Sequence, residues 1–175
     1  IARTIAALAP VLTGQQRLLV VADNCSDDTA KIARAAGAQV IERFDAVARG
    51  KGHALAFGRD HLLSDPPDVV IILDADCEID PASSAILIAE VERQSAPIQA
   101  NYRMRPERAA RPMVQISNFA FLVKNSVRQR GMARLGAPAL LNGTGMAFPW
   151  SIFATAPLAS GNIVEDLALG VDMTL

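Results

Sequence analysis

Asp74-Ala75-Asp76 follows directly on the apolar run Val69-Val70-Ile71-Ile72-Leu73. Two carboxylates at that spacing can lend oxygen ligands to a hard divalent cation. Mg2+ or Mn2+ takes one or two protein carboxylates and fills its other positions with water or phosphate oxygens. An acid-rich capping turn has similar composition, but Asp80, followed by Pro81, already supplies the cap of the next helix. A second motif is Gly50-Lys51-Gly52. Its glycines let backbone approach a ligand and its lysine offers a point charge for phosphate. It is not a Walker A loop, because Lys51 is followed by Gly52 rather than Ser or Thr, and no GxGxxG follows a strand. A solvated loop is the alternative. In Asp23-Asn24-Cys25-Ser26-Asp27-Asp28, Asp27 and Asp28 suit the cap and first turn of a helix. Asp23 stands before the turn, free to point into a crevice, where an ionised carboxylate can accept an N–H from a base. Glu165-Asp166 opens a predicted helix, where the helix dipole accounts for acids as well as chemistry does. His53 and His61 fit no metal-ligand spacing. Cys25 and Cys77 form no CxxC, so neither a structural zinc nor a disulfide framework is expected, and a reducing compartment is the simplest setting.

The elements that must position these groups follow from periodicity. Ile1, Ile5, Leu8 and Leu12 keep a helical spacing, bent near Pro10. Leu18 to Ala22 reads as a buried strand ending on Asp23, and Asp27 to Ala36 as a helix stopped by Gly37. Val40-Ile41 is a strand, 43 to 50 a loop, and Gly52 to Leu63 a helix. Val69 to Leu73 is apolar throughout, as a strand covered by helices on both faces must be. A helix after Asp80, a strand from Ile98 to Met104, a long helix from Pro112 to Arg130, a glycine-broken extended stretch from Leu140 to Phe148, and a helix from Glu165 complete the reading. In the long helix Met113, Ile116, Phe119 or Ala120, and Val123 repeat at helical spacing and are expected to pack on the core. Arg128, Arg130 and Arg134 cluster at its far end, either solvated or facing anionic lipid headgroups.

Alternating strands and helices call for an α/β fold with a largely parallel sheet. Ligands in such sheets sit at the carboxyl ends of the strands, where both Asp23 and Asp74 fall. At 175 residues, one domain is expected. The apolar fraction of 51% excludes a disordered chain, and the net charge of −1 argues against a general nucleic-acid binder. No apolar run reaches the roughly 18 residues of a membrane helix.

Taken in order, Asp23-Asn24-Cys25-Ser26-Asp27-Asp28-Thr29, Gly50-Lys51-Gly52-His53-Ala54-Leu55, Asp74-Ala75-Asp76, Asn142-Gly143-Thr144-Gly145-Met146-Ala147-Phe148 and Val164-Glu165-Asp166 resemble the motifs of inverting family 2 glycosyltransferases. The flavour is that of the bacterial membrane-associated polysaccharide synthases. The resemblance implies a GT-A (Rossmann-like) nucleotide-diphospho-sugar transferase fold, with a mostly parallel central sheet flanked by helices. It makes residues 1–175 a single glycosyltransferase catalytic domain, N-terminally truncated, with its first strand before Ile1 and a membrane region after Leu175. That first strand would lie between the strands ending at Asp23 and Asp74. The implied activity is transfer of a sugar from a UDP-sugar donor to a hydroxyl of a saccharide or lipid-linked acceptor. It would require Mg2+ or Mn2+ and act at the cytoplasmic face of the bacterial inner membrane, with membrane contact through segments outside these residues.

By the same resemblance, Asp23 contacts the uracil, Lys51 belongs to the nucleotide pocket, and Asp74 lies near ribose and diphosphate. Asp76 ligates the metal, Asp166 is the general base, and Glu165 stands beside it in the donor site. Val164 occupies a position where the family carries a hydroxyl residue, while the Glu-Asp pair is intact. Two other readings are a sugar-phosphate nucleotidyltransferase, against which the Gly143 and Glu165-Asp166 motifs count, and a non-catalytic sugar-nucleotide-binding module.

Overall fold

The computed structural model describes residues 1–104, 111–137 and 140–159. In chain order the elements are α1 (Ala2–Leu8), β1 (Leu19–Asp23), α2 (Thr29–Ala35), β2 (Gln39–Arg43), α3 (Lys51–Leu62), β3 (Val69–Ile72) and α4 (Pro81–Gln94). They continue with β4 (Ile98–Gln99), α5 (Pro112–Leu122), a π-helical segment (Val123–Arg128), α6 (Gln129–Arg134), β5 (Met146–Pro149) and α7 (Trp150–Phe153). The predicted helix from Glu165 lies outside the described residues.

The strands form a two-stranded sheet, β1-β2, and a three-stranded sheet in the order β3-β5-β4. β1 and β2 are parallel, as expected, with Leu19 opposite Gln39 and Asp23 opposite Arg43. β5 instead runs antiparallel to both its neighbours, pairing Ile72 with Met146 and Ile98 with Ala147. The expectation of a mostly parallel sheet therefore holds only for the first pair among the described strands. β1 and β3 share no ladder; α3 spans the space on the β1 side, where a Cβ on Gly58 would stand 3.1 Å from Val21 Cγ2.

β5 carries the core. Along a strand successive side chains point to opposite faces. Met146 and Phe148 accordingly join Ile72, Leu141 and Phe153 in one cluster. Ala147 faces Leu87 and Val91 of α4, with Val69 and Ile71 of β3, in another. β3 is thus covered on both faces, which is why its sequence is apolar throughout. A smaller cluster of Ile5, Ala33 and Ala38 seats α1 and α2 against the first sheet.

Several elements are shorter than their apolar patterns suggest. α1 stops at Leu8 because Pro10 has no N–H to give to the Ala6 carbonyl. β4 ends after Gln99: the Ala100 N–H still makes a last rung to the Gly145 carbonyl, but the Tyr102 N–H then closes a local turn onto Ala100 and the extended backbone stops. β5 begins only at Met146, since Gly143 (φ 79°) and Gly145 (φ 66°) hold a left-handed backbone.

The long helix differs more. No residue of α5 is buried, so Met113, Ile116, Phe119 and Val123 do not pack on the core as expected. The inward side is mixed instead: Phe121 sets its ring edge-on to Tyr102, with ring centroids 5.1 Å apart, and the most buried positions are polar. Asn125 and Ser126 are buried; the Ser126 hydroxyl donates to Asn101 Oδ1 at 2.8 Å, and Gln129 donates to the Leu140 carbonyl at 2.6 Å. The wider winding of the π segment turns these residues inward.

Candidate active site

β3 delivers Asp74 to its carboxyl end, and the chain there turns tightly, with the Cys77 N–H donating to the Asp74 carbonyl at 3.0 Å. Asp80 then caps α4: its carboxylate accepts from the Ser83 N–H at 2.9 Å, with Pro81 in the first turn. This leaves Asp76 exposed on the turn and Asp74 half-buried.

Lys51 opens α3 and meets that turn from the side. Its ammonium donates to Asp74 Oδ1 and to the Gly143 carbonyl. The preceding Gly50 has φ 116°, a conformation other residues rarely adopt, and this aims the start of α3 at β3. The Thr144 hydroxyl accepts from the Asp74 N–H at 3.0 Å. Lys51, Asp74, Asp76 and the 142–145 loop therefore form one constellation, as their sequence motifs suggested.

Asp23 belongs to the other sheet. Its Oδ1 accepts from Arg43 at 2.7 Å and from the Asn24 amide at 3.1 Å, so the carboxylate expected to be free has a fixed counter-ion. Arg43 also donates to Asp45 Oδ2 at 3.1 Å and to the Ala48 carbonyl at 2.6 Å. The Asp45 carboxyl is held below its ordinary pKa, chiefly by the Ala48 N–H and then by the Val47 N–H. The loop between β2 and α3 is thereby organised rather than loose, and it leads straight into Gly50 and Lys51.

Gln99 is the residue that sequence reasoning missed. Its amide nitrogen donates to the Thr144 and Ala100 carbonyls, each at 2.9 Å, and its carbonyl oxygen accepts from the Asn142 N–H at 2.8 Å. One side chain therefore clamps the 142–145 loop against Asp74. The available signal was a polar residue between Ile98 and Ala100 in a short strand. Arg43 was equally invisible, because its role comes from the parallel register that sets it opposite Asp23. Glu165 and Asp166 lie outside the described residues.

Asp74, Asp76 and Cys77 each bring one ligand atom into a group within 4.8 Å of one another. The two carboxylates fit a hard divalent cation that completes its shell with water or phosphate oxygens. The Cys77 thiol is the mismatched member of the group, because soft sulfur suits zinc or copper(I) while a hard divalent ion prefers oxygen. In the metal-free protein burial pushes its pKa up, a hydrogen bond with Thr144 partly opposes this, and the charges of Asp76 and Asp74 add to the rise.

Residues 1–147 match the family described as Glycosyl transferase family 2. The chain belongs to glycosyl transferase family 2. No curated protein matches it. It is similar to a crystal structure described as a mycobacterial protein, at 25% identity and a TM-score of 0.64, covering 98% of this chain and 55% of that one. It is likewise similar to glucosyl-3-phosphoglycerate synthase from Mycobacterium tuberculosis in complex with uridine diphosphate. There the identity is 24% and the TM-score 0.64, over 98% of this chain and 59% of that one. The chain thus spans between half and three fifths of the length of those structures, and its fold is the GT-A glycosyltransferase fold.

Proposed function

We propose that this chain forms the donor-binding part of an inverting glycosyltransferase that moves a sugar from a UDP-sugar to a hydroxyl acceptor, in bacterial polysaccharide or glycolipid synthesis. The observation that carries the reading is the Lys51 ammonium held between Asp74 and the Gly143 carbonyl at the carboxyl end of β3, with Asp76 open beside it. A cation and a carboxylate pair at that place suit a diphosphate. In this reading Asp23, oriented by Arg43, accepts from the uracil; Lys51 faces the diphosphate; Asp74 lies against ribose and diphosphate; and Asp76 holds the metal, with Asp74 nearby. When bound there, a divalent ion neutralises the charge gathering on the departing nucleoside diphosphate. A sugar hydroxyl is a weak nucleophile, so Asp166 takes its proton as it attacks, with Glu165 beside it. Such general-base help is typically worth about 10²–10⁴-fold. Inversion needs a single displacement and no covalent nucleophile.

The test uses the full-length polypeptide. UDP affinity is measured by calorimetry with and without Mn2+, for the parent and for Asp76→Asn. The expected result is tighter UDP binding with metal in the parent and loss of that increment in the variant, with the thermal transition retained. UDP released from a UDP-sugar only when an acceptor is present supports the transferase. Pyrophosphate release would identify a nucleotidyltransferase, and binding without either product would identify a binding module.

A further inference from the structure

The helical run from α5 to α6 turns a continuous apolar stripe away from the fold. Its inward side mixes Asn118, Asn125, Ser126 and Gln129 with Phe121 and Met132, whereas Met113 (70% exposed), Ile116 (61%), Phe119 (67%), Val123 (40%) and Val127 (62%) face outward. The burial on the inward side is real: Asn125 is 2% exposed, and its side-chain amide has no hydrogen-bond partner. The outward stripe runs over about four turns, roughly 20 Å. An apolar patch of that kind on a folded surface marks a contact with another apolar medium.

Charge decides between the media. Residues 111–137 carry Arg111, Lys124, Arg128, Arg130 and Arg134 and no acid, in a chain whose net charge is −1. All five cations are exposed, and none is ion-paired with a described residue. Two copies of this face would bring those charges together. A polyanionic surface with an apolar interior satisfies both halves of the pattern. No described helix is long and apolar enough to cross a membrane, but a basic, apolar-faced helix lies in the headgroup plane with its apolar stripe dipped below it. We propose that the outward face of Pro112–Arg134 docks on an anionic lipid bilayer, with Met113, Ile116 and Phe119 entering the acyl boundary and Lys124, Arg128, Arg130 and Arg134 held by lipid phosphates.

The test is local, so anchors elsewhere in the polypeptide do not confuse it, and it is independent of catalysis, so its failure leaves the proposed activity untouched. In the full-length polypeptide Phe119 is replaced by Trp; the parent, whose only tryptophan in this chain is Trp150, is the control. Vesicles carry brominated acyl chains, which quench only tryptophan that reaches the acyl region. The added emission should be quenched by vesicles of phosphatidylglycerol and phosphatidylcholine, and not by phosphatidylcholine alone. Adding Arg128→Gln, Arg130→Gln and Arg134→Gln should weaken the response roughly 100-fold in lipid concentration. Equal quenching by both vesicle types would overturn the anionic assignment. Unquenched emission would mean that protein covers this face, and if the protection tracked a concentration-dependent dimer in sedimentation, the occupant would be a second copy of the chain.

Discussion

Replacing Gln99 should loosen the candidate site from behind. In Gln99→Ala, the Asn142 N–H loses its acceptor and the Thr144 carbonyl loses its donor, and neither has another described partner. The Ala100 and Gly145 carbonyls keep theirs, from Tyr102 and Ala100. Two orphaned groups at about 1–3 kcal/mol each, taken near the lower end because the region is only part-buried, give a loss of about 2–4 kcal/mol. Against a total stability of about 5–15 kcal/mol, that is a large fraction. It should lower the melting temperature by roughly 6–12 °C in a domain of this size. Gln99→Glu separates the two halves of the clamp. Its carboxylate still accepts from Asn142 but faces the Thr144 and Ala100 carbonyls with no proton to offer. Its pKa in the folded state should therefore be raised. The deficit is then full above that folded pKa, shrinks as pH falls and the acid becomes a donor, and levels off below the unfolded value of about 4.3. Urea titrations of both variants and the parent at several pH values, with UDP affinity measured alongside, read this directly. A Gln99→Ala loss under about 0.5 kcal/mol, or a Gln99→Glu deficit that does not change with pH, would refute the clamp.

Gly145→Ala should also destabilise, because it combines φ 66° with a new Cβ 3.2 Å from the Ala100 Cβ; a cost of about 1–3 kcal/mol is expected from urea unfolding. Asp80 has its pKa lowered, first by the Ser83 hydroxyl and then by the Ser83 N–H. Its stabilisation is therefore present above the unfolded carboxyl pKa of about 3.9 and lost as pH falls through the lower folded value; acid unfolding of Asp80→Asn should show a shallower drop in that window. Cys77→Ser should leave Mn2+ affinity, read by calorimetry in the presence of UDP, within about twofold, since a hard ion here draws on carboxylate and phosphate oxygens rather than on sulfur.

The parts of this fold that were legible in the sequence are those fixed by local pattern. An unbroken run of β-branched residues announced β3, and the acids, glycines and lysine around it announced the constellation of Asp74, Asp76 and Lys51. What was not legible depends on pairings between distant segments. Nothing local says that β5 runs between β3 and β4 in the opposite direction, that Gln99 reaches the 142–145 loop, or that the parallel register sets Arg43 beside Asp23. Periodicity also finds the two sides of a helix without saying which is inward. Along α5 and into the π-helical segment the apolar repeat at Met113, Ile116, Phe119 and Val123 was correct as a face and wrong as a core, because Asn125 and Ser126 took the most buried positions.

The seam at Gly145 has a consequence for motion. Its N–H donates to the Ile72 carbonyl and its own carbonyl accepts from the Ala100 N–H, both at 2.8 Å, so the loop of Gly143 and Thr144 is sewn to β3 on one side and to the end of β4 on the other. Such a wall cannot swing as a lid, because each backbone link it would release is also a rung joining the sheet. Its opening free energy is then close to that of the three-stranded sheet itself, at the upper end of the range that local openings span. Amide exchange at Asp74 and Gly145 should be as slow as at the centre of β5. Whatever admits and releases a ligand here must lie on the facing side, and the β3 wall acts as the fixed anvil against which it closes.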